Sequence, residues 1–423
     1  MATRIFRAST GPILYLVISA ITPFVSLVSN ILIAKFVIPA EFGALQTAML
    51  LVSYTSLLHL GVFNGLNRHY AYLQGKSQPE QALAMVNASQ RMASYMALTS
   101  FLIGAAYCAY LVGSNADIKV TIATFVILAE LALTGYTTHY ETIYRTSQNF
   151  NRLSIVLTGQ NALSLATIAL PIYFGFHGLL ARAAILPIVN FLLRRHWLPV
   201  HAQALGRISD IRELIHIGFP MLVSGYIFTL LMVADRSLIA LWMGPESVGH
   251  YTLASMIVTA LMIVPGTLSS ILYPKAAIAY AQESDPSALR KFVLISLSLN
   301  LGLLAPILLI SYIVLEPFTL IFLPAYVEGL PAAKIALLSG LAMALTGPGI
   351  VFGTLRKNTL HIIVLGLSII TCWILGSLMI HQFQNIVYAA LAKVIALFML
   401  GVFVVIYSLH LTRKQPAIEE GPC

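Results

Sequence analysis

The chain has 423 residues, of which 59% are hydrophobic and only 9% are charged, and its formal net charge is +9 at pH 7. A soluble domain contains roughly 25% charged residues, and the mean hydropathy of this chain is +0.87. The composition therefore excludes a soluble globular protein and indicates an integral membrane protein.

Twelve long apolar runs follow one another along the chain, separated by short polar breaks. A helix needs about 20 apolar residues to cross a bilayer, and the short alternating segments of membrane barrels are absent. The first run is too long for the core of a signal peptide and lacks a convincing cleavage site, which predicts a retained helix. The twelve predicted helices lie near 12–34, 42–64, 91–112, 119–141, 154–175, 177–194, 213–242, 250–272, 292–315, 332–354, 359–380 and 386–409.

One sequence pattern occurs twice, about half the chain apart. Residues 32–43 read LIAKFVIPAEFG and residues 238–249 read LIALWMGPESVG, with the Leu-Ile-Ala, the Pro and the Gly in register. The repeat predicts two pseudo-symmetric six-helix lobes, 1–206 and 207–412, followed by a tail, 413–423. The longest polar connection, around 194–212, is the predicted joint between the lobes. Two tandem membrane bundles are typical of transporters.

The basic residues indicate the topology of the chain. Most of the 24 Lys and Arg residues fall on one side of the predicted helices when the amino terminus is placed in the cytoplasm. This positive-inside bias predicts that both termini are cytoplasmic, and it accounts for the basic composition without nucleic acid. The basic residues on the predicted cytoplasmic side include Arg4, Arg7, Arg356 and Lys414, near the ends of predicted helices.

Residue patterns for enzymatic or cofactor chemistry are missing from the sequence. The three cysteines show no paired spacing, and no metal-ligand spacing, catalytic triad or phosphate-binding loop occurs. The predicted outward loops, among them 174–177 and 316–331, are too short to be a folded catalytic domain. We therefore predict a protein that is not an enzyme and has no cofactor or metal.

Charged residues inside predicted membrane helices are the first candidates for function. A charge near the centre of such a helix costs about 2.5–3.5 kcal/mol on insertion scales, so each needs a partner or water. None has an opposite charge three or four positions away, the spacing that shares a helix face. A watery cavity and structural ion pairs, or snorkelling of Arg182 and Lys393, remain alternatives. The five residues are Glu130, Arg182, Asp235, Arg236 and Lys393.

Two further sets of polar residues allow a functional or a structural interpretation. Those of the first helix form a stripe that serves either close helix packing or the wall of a wet cavity: Ser19, Thr22, Ser26 and Ser29, with Asn30 beside them. The second run carries His59, and then Asn64 and Arg68 toward the cytoplasm. In contrast, Glu141 and Arg145 predict an interfacial ion pair of small energetic value.

Several segments together resemble a known family. Their order along the whole chain resembles the polysaccharide flippases, or O-antigen-type translocases, of the multidrug/oligosaccharidyl-lipid/polysaccharide exporter superfamily. The segments are PAEFGAL at 39–45, LGVFNGLNRHY at 60–70, GFP at 218–220, ADRS at 234–237, GPESVGHY at 244–251, YPK at 273–275 and FLPAY at 322–326.

The resemblance implies two lobes around a central cleft and a flippase for surface polysaccharide biosynthesis. The expected substrate is an undecaprenyl-diphosphate-linked oligosaccharide repeat unit of O-antigen, capsule or exopolysaccharide. It would move by alternating access from the inner to the outer leaflet of the bacterial inner membrane. The implied partners are membrane lipids, candidate coupling ions (H+ or Na+), and a polysaccharide polymerase with its chain-length regulator.

The expected cargo indicates roles for the polar residues. A diphosphate and acidic sugars call for cations in the cleft, and no ATP-binding motif occurs, which suggests coupling to an ion gradient. Glu130 and Asp235 are the predicted coupling acids. The candidate substrate-binding residues are Arg236, Lys393, Arg182, Arg68, His59 and Asn64.

Two alternatives come from other functional classes. A multidrug cation antiporter of the same superfamily typically carries an acidic residue in its first helix, and this chain has none between Pro12 and Ala34. A membrane-embedded polymerase or glycosyltransferase needs a catalytic acid on a long outward loop, and the predicted loops are short. Both comparisons favour the flippase.

Overall fold

The computed structural model describes residues 10–283, 285–355, 357 and 359–413. Within these ranges every regular element is helical, and short 3-10 turns join some of the α-helices. The α-helices are α1 Thr10–Phe36, α2 Pro39–Thr55, α3 Val62–Gly75, α4 Pro79–Gly113, α5 Ile118–Thr146, α6 Phe150–Ala166, α7 Ala169–His196, α8 Ile208–Trp242, α9 Pro245–Glu283, α10 Arg290–Phe322, α11 Leu330–Ala336, α12 Leu338–Thr346, α13 Ile350–Leu355, α14 Thr359–Phe383 and α15 Val387–Leu411.

The predicted all-α membrane architecture is confirmed. Among the described residues, 10 helical segments are long and apolar enough to cross a membrane, and the bent pair α2–α3 makes up to 11. The remaining predicted run corresponds to α6, which has 17 residues. The region near 332–354 is less regular than predicted, because α11, α12 and α13 divide it and a 3-10 turn occupies Gly347–Gly349.

The second predicted helix is broken at Leu60 and Gly61. Both residues have positive φ, 47° and 85°, and the two parts of the span meet at 45°. Glycine is needed at position 61 for two reasons: its φ is positive, and a Cβ would lie 2.5 Å from the carbonyl carbon of Gly218. The sequence remains apolar across Leu60 and Gly61, so hydrophobicity alone does not predict this break.

The loop predicted at 174–177 lies inside α7. Gly175 has φ 53° and ψ −129°, outside the helical region, so two helical stretches meet at this residue within the range labelled α7. A Cβ on Gly178 would lie 2.0 Å from the carbonyl oxygen of Leu170, so the chain reverses between these two residues, and the predicted loop is confirmed. Glycine suits this turn, because residues with a Cβ rarely adopt this backbone conformation.

The chain folds into two compact units. The first comprises Met1–Thr252 with Phe322–Val327, and the second comprises Leu253–Ile321 with Glu328–Cys423. In the first unit, α3, α4 and α5 enclose a core that includes Phe63, Met96 and Tyr144. In the second, a smaller core includes Val293 and Val351.

The predicted lobes, 1–206 and 207–412, follow from the sequence repeat, and they remain a prediction. The tail, 413–423, is described only at its first residue. Four of the charges used for the topology, Arg4, Arg7, Arg356 and Lys414, lie outside the described residues.

The connection 197–207, the longest polar connection in the sequence, is fastened to α4. The Asn87 side-chain oxygen accepts hydrogen bonds from the backbone N–H groups of Gln203 and Ala204, at 2.9 Å and 3.4 Å. Arg91 donates to the carbonyl of Gly206 at 2.8 Å. A Cβ on Gly206 would lie 2.3 Å from the Cα of Ala88. This connection is therefore packed against α4 through contacts with Asn87, Ala88 and Arg91.

The two copies of the repeated pattern contact each other in the first unit. A Cβ on Gly43 would lie 2.0 Å from the carbonyl oxygen of Pro245, and one on Gly249 would lie 1.8 Å from that of Pro39. The first turns of α2 and α9 thus meet backbone to backbone. Close helix contact of this kind requires small residues, which explains why the pattern contains a glycine in both copies.

Candidate functional site

A polar cavity of about 210 Å³ lies between α1, α6 and α7 of the first unit. Every lining residue except Leu186 is polar or charged, although these helices are strongly apolar overall. The lining residues are Ser26, Asn30, Gln160, Asn161, Ser164, Arg182, Leu186 and Asn190. We refer to it as the Arg182 cavity.

Helical spacing brings these side chains together. On α7, Arg182, Leu186 and Asn190 recur every four positions, and on α1 Ser26 and Asn30 do the same. Residues at this spacing share one helix face. Three such faces meet, so the polar residues of each helix point to a common space.

The polar stripe of the first helix makes packing contacts and also lines part of the cavity. Asn161 donates to the Thr22 hydroxyl at 3.0 Å, and the hydroxyls of Ser29 and Ser164 lie 3.4 Å apart. These contacts fasten α1 to α6. Other members of the stripe, Ser26 among them, line the cavity.

Arg182 has a polar partner but no carboxylate. Its Nη2 donates to the Ser164 hydroxyl at 3.0 Å and to the Ser164 carbonyl at 3.4 Å. Its Nε is buried and has no hydrogen bond within the described part of the chain, and the same holds for Oδ1 of Asn190. No ion pair to Arg182 occurs among the described residues. A guanidinium in this state has hydrogen-bonding capacity and positive charge left for an anion.

A buried arginine orients one wall of the cavity. Arg194 is 9% exposed, and its Nη2 donates to Oε2 of Glu141 and to Oε1 of Gln160, both at 3.3 Å. Because the Gln160 oxygen accepts from Arg194, its amide nitrogen remains a donor. Glu141 also accepts from Arg145 at 2.5 Å. The predicted surface pair is therefore part of a network that includes a buried cation.

Asp235 and Arg236 are adjacent on α8 and have different surroundings. Asp235 is fully buried and accepts a hydrogen bond from the Tyr251 hydroxyl at 2.7 Å. Arg236 is half-buried and donates to the side-chain oxygen of Gln46 at 3.4 Å. Arg236 thus lies beside an amide rather than within the Arg182 cavity.

The remaining candidates lie elsewhere. Lys393 is 2% exposed on α15 of the second unit. On α3, Arg68 is exposed and Asn64 is half-buried. At the break before α3, Nδ1 of His59 accepts from the backbone N–H of Gly61 at 3.1 Å. This bond gives His59 a structural role at the bend.

Glu130 is half-buried on α5, and its backbone carbonyl accepts from the Thr134 hydroxyl at 2.6 Å. Its carboxylate has no hydrogen bond or ion pair among the described residues. Within the same part of the chain, no hydrogen bond or ion pair joins any two of six candidates: Arg68, His59, Asn64, Glu130, Arg182 and Arg236. The cavity therefore combines Arg182 with Ser26 and Asn30 of the predicted stripe and with residues of α6 and α7 that were not predicted.

A family model described as a polysaccharide biosynthesis protein matches residues 32–326. This match covers more than half of the chain. The chain belongs to the family of polysaccharide biosynthesis proteins. The family resemblance inferred from its residues is thereby confirmed. A search of the curated proteins found no match.

Solved structures show which fold this polysaccharide biosynthesis protein adopts. A structure described as the inward-facing conformation of a multidrug resistance MATE family transporter of the MOP superfamily is 15% identical, with a TM-score of 0.73, over 93% of this chain and 98% of that chain. The outward-facing conformation of a transporter with the same description has a TM-score of 0.60 at 15% identity, over 95% of each chain. At this identity the likeness shows the fold alone, which is the multi-pass helical fold of these two solved structures.

Proposed function

We propose that this polysaccharide biosynthesis protein is a flippase for an undecaprenyl-diphosphate-linked oligosaccharide repeat unit. It moves the unit by alternating access from the inner to the outer leaflet of the bacterial inner membrane, with both termini in the cytoplasm. The product supplies O-antigen, capsule or exopolysaccharide. Family membership and the transporter fold support this proposal.

The observation that carries the proposal is the Arg182 cavity. Its volume, about 210 Å³, is below the roughly 300–1,000 Å³ of complete ligand pockets. It therefore suits one part of a larger substrate. Serine hydroxyls and the amides of Asn30, Gln160 and Asn161 are suitable partners for sugar hydroxyls. Arg182 supplies the charge for a phosphate or carboxylate.

The sign of the charge separates the flippase from the cation antiporter. A monovalent cation about 4 Å from Arg182 would be repelled by roughly 4 kcal/mol at an effective dielectric constant of about 20. An anion at that distance would be attracted by a similar amount. The cavity is lined by no acidic residue, so it favours an anionic substrate.

The experiment follows the lipid-linked repeat unit in cells that depend on this protein. We expect Arg182→Gln to leave the labelled unit at the inner leaflet and to reduce surface polysaccharide about tenfold or more, with Arg182→Lys retaining part of the activity. Arg152→Gln is the matched control, because Arg152 is exposed on α6 and does not line the cavity. Equal transport by Arg182→Gln and the wild type at equal membrane abundance would remove the role assigned to this cavity.

Two other outcomes would support other classes. If the repeat unit reaches the outer leaflet in depleted cells and only its extension fails, the protein acts as a polymerase or glycosyltransferase. Efflux of cationic dyes that depends on Glu130 would support the antiporter instead.

For the flippase we further propose that a polymerase and its chain-length regulator receive the unit.

Ion coupling is a separate part of the proposal. We propose that Glu130, with Asp235, couples transport to a gradient of H+ or Na+. The half-buried Glu130 carboxylate, which has no partner among the described residues, supports this role. Glu130→Gln is expected to abolish the dependence of transport on the gradient while repeat units still bind. Unchanged dependence on both ions in Glu130→Gln would exclude Glu130.

A further inference from the structure

A basic groove of about 580 Å³ lies at the end of α7, apart from the Arg182 cavity. Its volume is within the range of small-molecule sites. The residues that line it are Val189, Leu192, Leu193, Arg195, His196 and His201. All of them belong to the first unit, and none is acidic.

The groove has a charged part and an apolar part. Arg195, His196 and His201 are exposed at one end, and their side chains are hydrogen-bond donors suited to a phosphate. Val189, Leu192 and Leu193 precede them on α7 and form the apolar part. The arrangement is complementary to a molecule with an anionic head and a hydrocarbon tail.

The groove also lies at the depth where such a head would be. The candidate membrane span Ala169–His196 ends here, and the next residue, Trp197, is 40% exposed. Tryptophan is enriched at the membrane interface. Leu192, one turn inside this end, is 53% exposed, as expected for a side chain that contacts lipid.

The neighbouring arginine is already engaged. Arg194 is bound to Glu141 and to Gln160, which lines the Arg182 cavity. Arg195, on the adjacent position of α7, has no hydrogen bond or ion pair within the described part of the chain. Its positive charge is therefore available to the groove.

We propose that this groove binds an anionic phospholipid. The phosphate lies against Arg195, His196 and His201, and one acyl chain follows Val189, Leu192 and Leu193 toward the bilayer interior. Basic pockets at the ends of membrane helices are suited to anionic headgroups. This lipid is distinct from the transported unit, and it holds the end of α7 at the membrane surface.

The test uses the full chain in a neutral detergent, with lipid binding followed by native mass spectrometry. We expect phosphatidylglycerol to bind more tightly than phosphatidylcholine with the same acyl chains. Arg195→Gln should weaken phosphatidylglycerol binding about fivefold, from the contribution of one basic residue near a lipid surface. Arg195→Lys should retain most of the affinity, and the double variant Arg195→Gln/His201→Gln should lose more than the single one.

A distant basic residue provides the control. Arg290 is exposed at the start of α10 and lines none of the described cavities, so Arg290→Gln should bind phosphatidylglycerol as the wild type does. Equal binding of the two phospholipids, or undiminished binding by the double variant, would overturn the proposal. Tighter binding of undecaprenyl phosphate than of phosphatidylglycerol, lost in the same variant, would also overturn it and assign the groove to the transported lipid.

A second measurement does not depend on any variant. A photoreactive phosphatidylglycerol added to the wild-type protein should label residues 189–201, and excess phosphatidylglycerol should suppress this labelling more than phosphatidylcholine does. Labelling that is confined to other segments would refute the proposed groove even if every variant folds poorly.

Discussion

Replacement of Gly249 by alanine tests the contact between the two copies of the repeated pattern. The new Cβ would lie 1.8 Å from the Pro39 carbonyl oxygen. Carbon–oxygen contacts under 3.0 Å essentially never occur at a Cβ, so α2 and α9 must separate by at least 1.2 Å, the difference between the two distances. Overpacking of this kind costs about 1–3 kcal/mol.

The measurement is thermal unfolding of the purified protein in detergent. Gly225→Ala is the matched control, since Gly225 also lies in a helix of the first unit but a Cβ at its position would meet no other atom within 4 Å. The control should gain up to about 1 kcal/mol from helix propensity. Gly249→Ala should be less stable than both the wild type and this control.

A double variant makes the test stricter. Gly43→Ala introduces a methyl 2.0 Å from the Pro245 carbonyl oxygen in the same contact. Once one methyl group has separated the helices, the second costs less, so the two effects should fall short of additivity by at least about 0.5 kcal/mol. Strict additivity, or a Gly249→Ala variant as stable as Gly225→Ala, would refute the packing argument.

Three further substitutions have defined outcomes in the same assay. Tyr251→Phe should lower stability by about 1–3 kcal/mol, because the buried carboxylate of Asp235 loses a hydrogen-bond donor. Gly175→Ala should cost about 1–3 kcal/mol, since only glycine adopts its backbone conformation without strain. Glu141→Gln should cost about 1–3 kcal/mol, because it removes the carboxylate partner of the buried Arg194.

Each of these has an exposed counterpart of the same type. Tyr173→Phe, Gly113→Ala and Glu283→Gln alter an exposed tyrosine, a glycine with open space around it and an exposed glutamate. Surface changes of this kind are usually within about 0.5 kcal/mol. A variant that behaves like its exposed counterpart would contradict the contact or the backbone strain assigned to that residue.

The sequence allowed the fold to be predicted well because the bilayer imposes it. Length and apolarity suffice to identify a membrane helix, and all twelve runs correspond to helical segments. Breaks inside apolar stretches were harder to predict. The bend at Leu60 and Gly61 depends on backbone dihedral angles and on the close approach of Gly218, and neither changes the hydrophobicity of the run.

The candidate site was predicted only in part. Arg182 was identified because a charge within an apolar run is costly and therefore informative. Gln160, Asn161 and Asn190 are uncharged, and their importance depends on which helix faces meet, which a single sequence does not give. The spacing of Asn190, eight residues after Arg182 on α7, was the available signal.

The reciprocal contact of Gly43 with Pro245 and of Gly249 with Pro39 has the form of a symmetric interface inside one chain. Gly43 and Gly249 are equivalent positions of the repeat, and so are Pro39 and Pro245. A contact in which the same pair of positions meets twice is isologous, as in a two-fold symmetric homodimer. The two halves of the contact are therefore equivalent, and a change to the glycine of either copy should disturb it in the same way.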